Sequence, residues 1–144
     1  MKTRRKASIL AFQALYAWDL QCQSGCPCGD LAAVLSFSWN TEEKLASLAP
    51  EITDFARLVV TGAVENSAKI DEAIKSKLKN WDFSRLNAAD RAVLRFGTYL
   101  LLYQQDIAPA LVIEEAIKIS KEFSGDDSPK FVNGVLDAIR VSCR

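Results

Sequence analysis

Apolar residues recur three and four positions apart along almost the whole chain, and that spacing leaves packed α-helices as its natural way to bury them. Ile9, Phe12, Tyr16 and Leu20 make one stripe, and Ala11, Leu15 and Trp18 a second beside it. Two adjacent stripes on a 3.6-residue period predict one largely buried helix from residue 3 to about 21. Lys6 and Gln13, seven apart, fall on the polar strip that remains. No segment reads as a strand, because the β-branched residues sit at helical spacing and the turn signals lie too far apart for hairpins.

The punctuation between the stripes sets the other helices. Residues 21–30 hold two glycines, a proline and a serine and read as a loop, after which Asp30 can cap a short helix carrying Leu31, Val34, Leu35 and Trp39. A second polar stretch begins at Asn40. From Pro50 a helical pattern runs through Ile52, Phe55, Leu58, Val59 and Ala63. Asn66-Ser67 offers a cap for a continuation through Ile70, Ile74 and Leu78, giving either one kinked helix or two. Asn87 followed by Asp90 resembles a capping pair ahead of the apolar run Ala92, Val93, Phe96, Tyr99, Leu100 and Tyr103, which Asp106 to Pro109 ends. Leu111 to Phe123 is a further helix, closed by Ser124-Gly125. Ser128 with Pro129 then opens the last one, through Val132, Leu136 and Ile139. About seven helices joined by short loops predict an all-α fold of packed bundles in a single domain, 1–144. A chain of 144 residues buries roughly 68–70% of its unfolded surface, so the core needs no staples.

Catalysis finds little to work with. The chain has no histidine, which removes most nucleophilic triads and many metal-hydrolase sites, and no glycine-rich phosphate loop. Glu114 and Glu115 are adjacent and point about 100° apart on a helix, so they do not converge on one atom. Asp126 and Asp127 stand at a helix start, where acids are ordinarily favoured. Cys22, Cys26, Cys28 and Cys143 lack the paired Cys-x-x-Cys spacing of zinc sites and read as thiols in a loop and at the terminus; no metal or other cofactor is expected. The segment after the basic start is interrupted by Ser8, Gln13 and Asp19 and is no signal peptide. No stretch approaches the roughly 18 apolar residues of a membrane span, so the expected location is the cytoplasm.

Lys2, Arg4, Arg5 and Lys6 place four positive charges in the first six residues of a chain with 18 basic and 18 acidic residues, and the first acid is Asp19. Cations at a helix N-terminus oppose the macrodipole, so four of them call for another reason. Arg4, Arg5 and Lys6 with Gln13 and Tyr16 beside them are the mix of phosphate, hydrogen-bonding and stacking groups that single-stranded RNA recognition uses. Solvated surface charge is the plainer alternative.

Three stretches then carry a likeness. Arg4-Arg5-Lys6-Ala7 is followed by Gln13-Ala14-Leu15-Tyr16; Trp81 and Arg85-Leu86 by Asp90-Arg91 and Leu94-Arg95; and Ser128-Pro129-Lys130-Phe131-Val132-Asn133-Gly134-Val135-Leu136-Asp137 follows Glu115-Ala116 and Lys121. In this order and at these separations the chain resembles, over nearly its whole length, the NusB family of bacterial transcription antitermination factors. The resemblance implies two small helical bundles and no catalysed reaction. It implies a protein that joins NusE, a small-subunit ribosomal protein, on the boxA element of nascent ribosomal RNA, in the RNA polymerase antitermination complex that supports ribosomal RNA transcription. A homodimer is a further state it allows.

Carried over by position, Arg4, Arg5 and Lys6 would be the RNA-binding arm with Gln13 and Tyr16 beside it. Asp127, Ser128, Lys130 and Phe131 would line the same RNA surface from the last helix. Tyr16, Asp90, Arg91 and Arg95 would face the protein partner. Lys130 suits a phosphate, Phe131 a base face, and Asp127 a base amino group; core packing is the alternative for Phe131, and close helix packing the expected reason for Gly134. Glu114, where the family more often has asparagine, Leu100, where glutamate is common, and the loop at 22–28 depart from the pattern. Two other readings stay open: the RNA-binding module of a ribosomal RNA cytosine methyltransferase, which would need a methyl-donor domain, and a helical protein–protein adaptor. If the composite RNA surface exists, the two ends of the chain must meet in the fold.

Overall fold

The computed structural model describes residues 2–23, 31–37, 39–78 and 82–142. Trp81, Asp30, Cys26, Cys28 and Cys143, singled out above, lie outside the described residues. Eight α-helices are seen among those described: α1 Lys2–Gln23, α2 Leu31–Leu35, α3 Glu42–Ser47, α4 Pro50–Glu65, α5 Ser67–Lys77, α6 Ala88–Tyr103, α7 Pro109–Phe123 and α8 Ser128–Ser142, with a 3₁₀ turn at Phe83–Arg85 before α6. No helix is long and apolar enough to cross a membrane among these residues.

Helix α6 is the axis of the fold. It is buried continuously from Asp90 to Leu101, and its side chains meet α1 and α4 on one side and α5, α7 and α8 on the other. An N-terminal group of α1, α2 and α4 and a C-terminal group of α5 to α8 therefore share one apolar interior. Two glycines set the closest approaches. A Cβ at Gly62 of α4 would lie 2.4 Å from the Tyr99 ring of α6, and one at Gly97 of α6 would lie 2.7 Å from Leu136 of α8. Helices pack this closely only where the side chain between them is missing.

The local signals explain where the helices begin, with four corrections. Asn87 caps α6 as expected, its Oδ1 accepting from the Asp90 N–H at 2.7 Å. Trp39, however, falls beyond α2, because Phe37 takes a positive φ of 52° and turns the chain out of the helix. The polar stretch after Asn40 contains α3, which Thr41 starts by accepting from the Lys44 N–H at 3.1 Å, with Glu42 and Glu43 in the first turn where the dipole favours acids. Asn66 separates α4 from α5, but its side chain closes the first rather than opening the second, donating from Nδ2 to the Gly62 carbonyl at 2.8 Å. Gly134 is not a packing glycine: it is exposed, and a Cβ there would meet nothing within 4 Å.

Candidate nucleic-acid interface

The N-terminal helix exposes a wider strip than its apolar spacing suggested. Arg5, Lys6, Gln13, Tyr16 and Leu20 all fall within one side of α1 at about 100° per residue, and Tyr16 and Leu20, expected in the core, are 38% and 46% exposed. Their burial would have needed an element on that side. Instead Ala7, Leu10, Ala11, Ala14, Leu15 and Trp18 turn inward. Arg4 points away from the strip, its guanidinium 5.9 Å from the ring centre of Phe55 on α4. Arg5 reaches across to an ion pair with Glu122 of α7. Lys6 is exposed beside the groove that α1 forms with α3. The three cations thus fan around the helix.

The ends of the chain meet through α7. Arg5 pairs with Glu122, and the ring of Phe12 lies 5.3 Å from that of Phe123, the last residue of α7, and 6.3 Å from Tyr16. The part-exposed rings of Tyr16 and Phe123 therefore pack on either side of the buried Phe12 and join α1 to the end of α7, just before the turn that enters α8. Phe123 was not among the candidate site residues; a large apolar side chain at a helix end, just ahead of Ser124-Gly125, was its signal.

That turn is held by a directed relay. The Ser124 hydroxyl donates to Asp90 Oδ1 at 2.7 Å and has no second proton to give, so the 2.9 Å contact between the Ser124 and Ser128 hydroxyls must be donated by Ser128. Ser128 Oγ in turn accepts from the Gly125 N–H at 3.2 Å. The chain of donors ends on a carboxylate, which polarises every link toward it. Ser128 and Asp90 are accordingly buried, while Asp127 and Lys130 are exposed and Phe131 lies part-buried against the core. Of the four residues expected to line the RNA surface from the last helix, Asp127 and Lys130 present themselves fully, and Ser128 shapes the turn that presents them.

Arg91 and Arg95 are buried as well, 6% and 7% exposed, in a network that ties α1 and α5 to α6. Asp19 of α1 accepts from Arg91 Nε at 3.1 Å and Nη2 at 2.8 Å, and from Arg95 Nη1 at 2.7 Å. Arg95 also grips Asp71 of α5 through Nε at 2.9 Å and Nη2 at 3.1 Å, and its guanidinium lies between the rings of Trp18 and Phe83, 5.3 and 5.2 Å away. Arg91 Nη1 donates to the Leu86 carbonyl. Burial by itself would raise the Asp19 carboxyl, but the hydrogen bonds from both arginines prevail and hold it below the usual carboxylate range. Burial likewise opposes the charge on Arg95, and Asp71 and Asp19 reverse that. These two cations are thus engaged inside the protein.

Among the described residues no three Cys, Asp or Glu side chains gather as a metal site. Glu114 pairs with Lys118 on the surface at 3.1 Å, away from Glu115.

The sequence pattern of the NusB family matches residues 5–140. The chain is 46% identical to the transcription antitermination protein NusB of Treponema denticola over 137 residues, 95% of either chain, and 37% identical to that of Geotalea uraniireducens over 96% of this chain and 94% of the relative. Its fold is similar to that of T. maritima NusB, with a TM-score of 0.81 at 33% identity over 96% of this chain and 90% of the other. It is similar also to a crystal structure of the antitermination factors NusB and NusE in complex with double-stranded RNA, with a TM-score of 0.83 at 29% identity over 99% of this chain and 98% of that one. The match takes in the exposed strip of α1, the buried network of α6 and the turn into α8 alike, and the chain belongs to the NusB family.

Proposed function

We propose that this protein is a transcription antitermination factor that binds boxA-type RNA of nascent ribosomal RNA together with NusE and catalyses no reaction. The observation that carries the reading is the junction of α1 with the end of α7, just ahead of the α8 turn: Arg5 pairs with Glu122, and the buried Phe12 ring packs on the part-exposed Phe123. Arg5, Lys6 and Lys130 supply phosphate contacts, Tyr16 and Phe131 ring faces, and Gln13 and Asp127 hydrogen-bonding edges, so backbone attraction and base reading sit side by side. Arg4, braced on Phe55, adds charge at the margin.

Asp90, Arg91 and Arg95 act as positioning residues in this reading. Asp90 anchors the turn that carries Asp127 and Lys130, and the arginine pair fixes α1 against α6, so that Tyr16 faces NusE in a set geometry. The protein would enter the RNA polymerase antitermination complex as this RNA–NusE unit. The relatives' shared name supports the role, and the solved NusB–NusE–RNA structure supports the choice of partners.

The test is a titration of labelled boxA-like single-stranded RNA, against a scrambled RNA of equal length, with and without NusE. Preference for the boxA sequence, tightened by NusE, is expected. Equal binding of both RNAs with no effect of NusE would remove the reading.

A further inference from the structure

A groove of about 270 Å³ runs between α1 and α3, walled by Lys6, Gln13, Asn40 and Lys44 over an apolar floor of Ile9 and Leu48. It opens beside the α1 strip, because Lys6 and Gln13 belong to both. Trp39 stands at its edge: the indole is 40% exposed, and its N–H donates to Gln13 Oε1 at 3.0 Å. Below it Phe37, fully buried, meets the indole edge-on at 5.7 Å and carries the Arg57 guanidinium 5.2 Å from its ring centre, so the indole is braced in place.

Core packing accounts for Phe37 and for the part-buried Leu45 and Leu48, but not for the polar side chains of this corner. Helix α3 has no buried residue, yet Thr41 caps it and fixes the turn from which Lys44 projects into the groove. Glu42 and Glu43 do not line it. The result is two ammonium groups, two carboxamides and an exposed indole around a cavity near the lower end of small-ligand sites, which run from about 300 Å³. That inventory matches one nucleotide unit: cations for a phosphate, amides for base edges, an aromatic face for stacking. Gln13 accepts from the indole through its oxygen, so the end of its amide left to meet a base is the donating NH₂.

We infer that the α1–α3 groove holds one further unpaired nucleotide of the bound RNA, its base on Trp39 and its phosphate between Lys6 and Lys44. The RNA path then continues from the α1–α8 surface over the N-terminal helices. This rests on the RNA-binding reading above, and the test separates the two.

The affinity of a boxA-like single-stranded RNA extended by three uridines at each end is measured for wild type, Trp39→Ala, Trp39→Phe and Lys44→Gln over a salt series, with a thermal melt of each variant. Loss of the stack weakens binding about fivefold or more in Trp39→Ala, by the usual worth of one base on an aromatic ring, and Trp39→Phe restores most of it. Lys44→Gln lowers the slope of log K against log salt by about 0.7. Its backbone N–H still meets Thr41, so its melt stays in place. Wild-type affinity and salt slope in Trp39→Ala and Lys44→Gln, with the wild type binding RNA, would overturn the groove and leave the proposed function standing. Failure of the wild type to bind would instead strike that function itself.

Discussion

Changing Asp19 to asparagine replaces the carboxylate that both buried arginines share. The new amide keeps one oxygen to accept, but its NH₂ faces guanidinium N–H groups and has nothing to donate to. Arg95 retains its two bonds to Asp71, whereas Arg91 loses the carboxylate it pairs with and keeps the Ser84 and Leu86 carbonyls with at most the one amide oxygen. Leaving one member of a buried pair uncompensated costs about 3–5 kcal/mol, against a total stability of about 5–15 kcal/mol for a domain. At a urea dependence near 2 kcal/mol per molar, the midpoint of unfolding should fall by about 2 M. Asp71→Asn should cost far less, since Asp71 is partly exposed and Arg95 keeps its bond to Asp19. Equilibrium urea unfolding of the three proteins, followed by circular dichroism, gives the comparison. A midpoint shift below about 0.5 M for Asp19→Asn would refute the view that this network clamps α1 to α6.

The same carboxyl gives an acid dependence. Its folded-state value is depressed, so its contribution is present above the unfolded value near 3.9 and is lost as pH falls through the lower folded value. The gap in unfolding midpoint between wild type and Asp19→Asn should therefore hold from pH 8 to 5 and close below about pH 4; a gap unchanged at pH 2.5 would contradict it. Gly97→Ala should destabilise by about 1–3 kcal/mol, because the added methyl strikes the buried Leu136, while Gly134→Ala should stabilise by about 0.5–1 kcal/mol in thermal melts. Equal effects at the two glycines would show the helix contacts to be misread. Glu122→Gln frees Arg5 from its exposed ion pair and should strengthen RNA binding about two- to fivefold at low salt; weaker binding would mean that the pair positions Arg5 productively.

How much of this was readable beforehand depends on whether the cause was local. The cap at Asn87, the proline start of α8 and the stripes of α1 are set by neighbours within a few residues, and they were legible. Thr41-Glu42-Glu43 carried an ordinary helix-start signal, but the polar sequence around it masked a short helix that packs only the part-buried Leu45 on the core. Tyr16 and Leu20 were placed in the core because periodicity says which residues share a side, not whether another helix covers it. Arg91 and Arg95 were assigned to the partner side by the family likeness, which carries positions over but not burial. The sign that they turn inward was Asp19, a lone acid on the apolar side of α1, and matching it to α6 needs a contact across more than seventy residues that no spacing rule provides. The meeting of the chain ends was expected from the family likeness, while the residues that make it, Glu122 and Phe123, came from the structure.

The central claim is that the α1 strip touches RNA phosphates. Its most direct measurement is the salt dependence of boxA-like RNA binding for wild type and for a variant with Arg4, Arg5 and Lys6 all changed to glutamine. At about 0.7 per phosphate contact on a single strand, the account predicts that the variant binds all RNA sequences more weakly and that the slope of log K against log salt falls by about 1.4, for the two contacts of Arg5 and Lys6. A weakened variant with the wild-type slope, or a variant that binds as wild type does, would contradict it.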